Sequence, residues 1–200
     1  MSLRTDQALI AEWIKPGSRV LDLGCGDGTL MAHLQQQQGV KGYGLEIDEE
    51  NIVQCIDKGV DVIQTDLDKG LSEFKKDTFD YVIMTQTLQA IYYPDKLLKE
   101  MTRVGREAIV TFPNMGHWKN RLQLALAGHM PKSKTLPYEW YNTPNIHLCT
   151  LTDFENLCAA NNIEILDRAT VDHEHQSSLG MKLFPNLLGE IAIYRFRQND

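Results

Sequence analysis

Cysteine is scarce and scattered. The 200-residue chain has four, Cys25, Cys55, Cys149 and Cys158, and no two stand as C-x-x-C. That spacing argues against a zinc ribbon and a thioredoxin-like redox motif. Free thiols in a reducing cytoplasm fit it best. Long apolar runs are absent too: no stretch reaches the roughly 18 residues of a transmembrane helix. Met1 to Lys15 is broken by Arg4, Asp6, Glu12 and Lys15, whereas a signal peptide has an uninterrupted apolar centre. The expectation is a soluble, cytoplasmic protein with no membrane partner. Positive charge is in short supply, with 20 Lys+Arg against 27 Asp+Glu and a net charge of −7. A general nucleic-acid binder normally shows a basic surface, so none is expected here. No linker, repeat or composition break divides the chain, so residues 1–200 read as one domain. A chain of this length buries about 70% of its unfolded surface and needs no staples. Nothing in it sets the state of self-association.

What is present alternates. Helical spacing over about Thr5 to Ile14 ends at Pro16-Gly17. Strands follow at Arg19–Leu23, Tyr43–Asp48, Val60–Gln64, Phe79–Met84 and Glu107–Phe112. Helices are expected at about Gly28–Gln38, Glu49–Lys58 and Pro94–Arg103. Another is expected over Thr152–Asn161, opened by a capping box at Thr152-Asp153-Phe154-Glu155. Two last strands, about Ile163–Val171 and Glu190–Phe196, come without a helix between them. Such alternation implies an α/β fold with a parallel sheet and helices on both faces, and the last two strands can pair antiparallel. The stretch from Pro113 to Thr150 is too long for an ordinary connection. Apart from a helical run at about Trp118–Ala127 it is irregular, and it reads as a lid or interaction insert at about 113–150.

The strongest signal is Val20-Leu21-Asp22-Leu23-Gly24-Cys25-Gly26-Asp27-Gly28, which follows a strand and opens a helix. Glycine lets a backbone approach a ligand without a Cβ in the way. A dinucleotide fingerprint wants glycine or alanine at 29, where Thr29 stands, and no phosphate-loop lysine follows. Glu46 ends the second strand, where a carboxylate can accept from both ribose hydroxyls of a nucleoside. Asp66 and Leu67 follow the third strand. Glycines that serve packing, and Asp66 as a simple helix cap, are the alternative reading. The order of strand, turn, helix and distant acid favours a ligand site. G-x-G-x-G headed by an acidic residue resembles motif I of the class I S-adenosylmethionine-dependent methyltransferases. The resemblance implies a single-domain Rossmann-like fold, with a mostly parallel seven-stranded sheet and an antiparallel last strand. It implies that Asp22, Gly24, Gly26 and Gly28 meet the methionine part of S-adenosylmethionine or S-adenosylhomocysteine. It also implies that Asp66 faces the adenine amino group and Leu67 the ring.

The acceptor side carries fewer marks. The Asn/Asp-Pro-Pro-aromatic turn of amino-directed nucleic-acid methyltransferases is missing, and Met84-Thr85-Gln86-Thr87-Leu88-Gln89 stands in its place. His117 is the best remaining base candidate, weighed against a helix-start histidine; His147 is similar. His173-x-His175 lacks a third ligand at recognisable spacing, so no metal is expected. The segments Phe112-Pro113-Asn114-Met115-Gly116-His117-Trp118 and Leu136 to Thr150, with Thr85 to Gln89, closely resemble the methionine biosynthesis protein MetW family over about residues 3 to 172. That resemblance implies a role in methionine biosynthesis beside a homoserine O-acyltransferase, the expected partner. Because S-adenosylmethionine is a downstream product of such a pathway, feedback logic adds the expectation that cofactor binding modulates that enzyme. An active methyltransferase on a small molecule or protein is the alternative. Trp118, Tyr138, Trp140 and Tyr141 either anchor a protein interface or pack the insert onto the sheet.

Overall fold

A computed structural model describes residues 3–172 and 178–199. Seven strands form one sheet in the order β3-β2-β1-β4-β5-β7-β6. They are β1 (Arg19–Leu23), β2 (Lys41–Glu46), β3 (Val62–Gln64), β4 (Phe79–Thr85), β5 (Gly105–Pro113), β6 (Ile163–Val171) and β7 (Ile191–Gln198). The first five pair parallel, and β7 runs antiparallel to both β5 and β6. Chain order reverses between β1 and β4, and in such sheets ligands bind beyond the carboxyl ends of the strands at that point.

Side-chain alternation along the strands builds two cores. On one face Leu21, Leu23, Val82, Met84, Val110 and Phe112 pack under α4 (Pro94–Val104) and α6 (Leu151–Ala160). On the other, Val20, Tyr81, Ile83, Ile109 and Ile193 pack under α1 (Thr5–Trp13), α2 (Thr29–Gln38) and α3 (Glu49–Asp57). Each fully buried Leu or Ile contributes on the order of 1.5–3 kcal/mol. The aromatic cluster of Phe112, Phe154, Tyr194 and Phe196 locks β5 and β7 under α6, with Phe154 and Tyr194 ring centroids 4.6 Å apart.

Several local expectations change. The cap of α6 is Thr150, not Thr152: the Thr150 hydroxyl accepts from Asp153 N at 3.2 Å, and Asp153 Oδ2 accepts from Thr150 N at 2.9 Å. The Thr152 hydroxyl instead accepts from Asn186 Nδ2, and Glu155 accepts from Tyr194 Oη. The second strand stops at Glu46 because Ile47 N and Asp48 N both turn back to its carboxylate, and Asp48 then caps α3. Two short helices, α7 (Leu179–Leu183) and α8 (Pro185–Leu188), stand between β6 and β7, where none was expected. Pro185 in the first turn of α8 fits its lack of a backbone donor. The run at 118–127 divides into α5 (Trp118–Leu122) and a π-helical turn, Gln123–Ala127.

Candidate cofactor site

Four strand ends converge at the carboxyl edge of the sheet, and each is followed by a residue singled out above. Beyond β1, Gly24, Gly26 and Gly28 have φ of +66°, +54° and +73°. Side chains other than glycine are strained there. At Gly24 an added Cβ would lie 2.7 Å from Thr87 Oγ1, and at Gly28 2.8 Å from Cys55 Sγ. Those two glycines are therefore required by close packing. Gly26 differs, since an added Cβ would meet nothing within 4 Å. Packing does not demand glycine at that position, and its open side is available to a ligand.

Glu46 ties the turn to β2. Its Oε2 accepts from Gly26 N at 2.8 Å, and its Oε1 accepts from Ile47 N at 2.8 Å and Asp48 N at 3.0 Å. A carboxylate offers about four lone-pair positions, so about one is left for a ligand hydroxyl unless a backbone donor yields. Glu46 lines a cavity of about 700 Å³ together with Asn51, Gln86 and Thr87.

Asp22 lies beneath the same turn, fully buried, and its Oδ1 has no hydrogen-bond partner among the described residues. Burial, reinforced by the nearby Glu46 charge, pushes its carboxyl up to about 7. A buried acid oxygen without a partner is costly, which suits it to a cationic group; Asp22 lies under the turn and does not line the cavity that contains Glu46.

Two residues that sequence reasoning did not select hold the turn from outside. Lys58 Nζ donates to Asp27 O at 2.7 Å, to Asp27 Oδ2 at 2.5 Å and to Thr29 Oγ1 at 2.9 Å. Partial burial works against the Asp27 carboxylate, but Lys58 and Thr29 outweigh it and hold the group below its usual range. Cys55 Sγ donates to Gly26 O at 3.2 Å. Gln86, just past β4, has φ +54°; a strained non-glycine residue at a cavity wall is a common mark of a functional site.

The other expected residues are distributed as follows. Asp66 Oδ1 accepts from Asp68 N, so it caps the 3-10 turn Leu67–Lys69, and Leu67 is buried in the core. Thr65, the residue before Asp66, donates its N–H to the Glu46 carbonyl at 2.9 Å. His117 is buried as the N-cap of α5, and burial holds its imidazole below the usual range against the pull of Glu190. It does not line the cavity that contains Glu46. Its neighbour Asn114 has the clearer task. Asn114 Nδ2 donates to Asn186 O and Gly189 O, and its Oδ1 accepts from Gly116 N, joining the end of β5 to α8. His147 Nε2 lies 3.3 Å from Tyr92 O, while Ile146 N and His147 N both donate to Gln89 O. These bonds strap the end of the insert to the segment after β4. The pair His173 and His175 lies outside the described residues. Among those described, no three metal-ligating side chains cluster, and no helix is long and apolar enough to cross a membrane.

The family profile described as methionine biosynthesis protein MetW matches residues 4–196. The bifunctional methionine biosynthesis protein MetXA/MetW of Rhodopirellula baltica is 35% identical over 209 residues, with 100% of this chain covered. The chain spans about a third, 34%, of that relative's length. Among solved structures, an S-adenosylmethionine-dependent methyltransferase from Mesorhizobium loti superposes with a TM-score of 0.71 at 15% identity, over 97% of this chain and 98% of that one. A TehB-like S-adenosylmethionine-dependent methyltransferase from Corynebacterium glutamicum gives 0.64 at 14% identity, over 99% and 89%. At such identities the likeness establishes the fold, that of the class I methyltransferases.

Proposed function

Because the chain belongs to the methionine biosynthesis protein MetW family, we propose that it binds S-adenosylmethionine or S-adenosylhomocysteine and modulates a homoserine O-acyltransferase. The observation that carries the cofactor reading is the pair of buried carboxylates, Asp22 and Glu46, under a left-handed glycine turn at the β1/β4 switch point. Glu46 accepts from a ribose hydroxyl. Asp22 receives the positive end of the methionine part, which supplies the partner its Oδ1 lacks. Gly26 presents bare backbone, with Gly24 and Gly28 setting the path of the turn. Asp66 and Leu67 border the adenine. When bound, the cofactor supplies an electrophilic methyl group on a sulfonium.

Gly26→Val tests the turn. A branched side chain in the left-handed region costs about 1–2 kcal/mol, so the variant still folds, with its helical circular dichroism retained. Its S-adenosylmethionine binding is lost in calorimetry. Normal binding would make the turn a packing device.

The partner reading is supported by the fused name of the Rhodopirellula relative and by the surface of the insert. Trp140 is 74% exposed and Tyr141 70%, in edge-to-face contact, and Tyr138 and Trp118 are half exposed. Large aromatics left in water favour an interface over internal packing. Trp140→Ala is expected to weaken the complex with the acyltransferase about thirtyfold, equivalent to about 2 kcal/mol. The melting temperature stays unchanged. Co-purification and acyltransferase rate, each with and without S-adenosylmethionine, are the measurements. A folded variant that binds and supports the acyltransferase like wild type removes Trp140 from the interface.

A further inference from the structure

The cavity that holds Glu46 extends to Gln89, Lys134, Tyr138 and Asn145. Tyr138 and Asn145 also line a second cavity, of about 460 Å³, inside the insert. The two spaces therefore share a wall, and their chemistry differs. In the first, the charged side chains are Arg4, Lys134 and Glu46. Three backbone donors already occupy Glu46, and Asp6 holds Arg4 from one edge at 3.2 Å. Glu46 keeps its negative charge through those bonds, and Lys134 adds a positive one opposite the neutral amides of Gln86 and Gln89. The second is walled by Met130, Pro131, Leu136, Trp140 and Leu148, and its two charged residues, Lys132 and Glu139, pair at 2.6 Å.

Among the described residues, the part of the wall that follows β4 carries no general base. Gln86, Thr87, Gln89 and Ala90 form that wall, and none of them takes up a proton near neutral pH. His129 lines only the second cavity. An amine, alcohol or thiol acceptor normally needs its proton removed. A carboxylate does not, because it is already ionised near neutral pH.

Resting on the S-adenosylmethionine reading above, we propose that the two adjoining cavities bind an amphipathic monocarboxylic acid and that the chain methylates it to an ester. The carboxylate head lies among Lys134, Arg4 and the Gln86 and Gln89 amides. The aliphatic or aromatic tail lies in the apolar groove of the insert. A carboxylate oxygen lone pair forms the O–CH3 bond. The C–S bond breaks with its electron pair going to sulfur, leaving a neutral methyl ester and S-adenosylhomocysteine. No proton moves. One negative and one positive charge cancel, which the apolar surroundings favour. The left-handed Gln86, braced by two contacts of its N–H with Thr111 at 3.0 Å, positions the amide wall.

The test uses the full chain with methyl-labelled S-adenosylmethionine and hexanoate or phenylacetate, with hexylamine and hexanol as comparators. The readout is volatile methanol released by base, with cofactor binding titrated in parallel. The acids are expected to yield base-labile label and the comparators none. Lys134→Glu is expected to cut ester formation about tenfold or more, mainly through KM, with S-adenosylmethionine affinity held within about twofold. Normal cofactor binding with no ester from either acid overturns this proposal alone. So does label on the amine or alcohol, or an unaffected Lys134→Glu variant. Absence of cofactor binding overturns the earlier reading together with this one.

Discussion

Glu46→Gln is expected to weaken S-adenosylmethionine binding tenfold or more in a protein that still folds. The carboxylate serves three backbone donors, Gly26 N, Ile47 N and Asp48 N, and the proposed ribose hydroxyl is a fourth. Hydrogen bonds to a charged group contribute about 1.5–3 kcal/mol each, and 1.4 kcal/mol is tenfold in affinity. The substituted amide would keep one accepting oxygen and set an NH2 against at least one backbone N–H. The turn and the ligand then compete for a single acceptor. Calorimetry on the folded variant reads the loss. An unchanged affinity would remove Glu46 from the site.

Asp22→Asn is expected to act in opposite directions on stability and binding. In the folded chain the Asp22 carboxyl is raised from 3.8 to about 7, chiefly by burial and then by Glu46. Between those values the folded state holds a proton that the unfolded state has released. Stability therefore falls as pH rises through that window, and the loss is complete above about 7. It is on the order of 4 kcal/mol, from 1.36 kcal/mol per pKa unit. The amide that replaces the acid carries no charge to bury. The variant is expected to melt several degrees higher at pH 8, at about 2–4 °C per kcal/mol for a chain of this size, and to lose this part of the pH slope. The same substitution removes the anion that receives the cofactor's positive end, so affinity falls at least tenfold by the same arithmetic. Wild-type affinity should decline below pH 7, with a proton released on binding. Thermal melts across pH 4–8, paired with calorimetry, test both halves. A variant less stable than wild type at pH 8 would contradict the assignment of Asp22 as an unsatisfied buried acid.

The features legible in the sequence are those that local chemistry determines. Glycines at 24, 26 and 28 mark the turn after β1, whereas the second strand, read to Asp48, stops at Glu46 because its own carboxylate takes the next two backbone donors. Strand and helix alternation similarly announces the layered sheet, and β7 is antiparallel as expected. What is not legible depends on distant partners. Lys58 and Cys55 reach the turn from 29 to 31 residues away. Gln86 carries no glycine to signal its positive φ. Thr150 and Thr152 are both plausible caps, and only the contact of Thr152 with Asn186 decides between them. Helices α7 and α8 are five and four residues long, too short for a helical period to stand out. The segment around Asn114 is distinctive, yet its meaning as a joint between β5 and α8 rests on bonds across 72 and 75 residues.

The central claim is that the turn and the two buried carboxylates form a cofactor site. Calorimetric titration of the wild-type chain with S-adenosylmethionine at pH 8 tests it most directly. The account predicts saturable binding at one site per chain. No binding by the folded protein, with ligand raised to about 1 mM, where even a contact of about 4 kcal/mol registers, would contradict it.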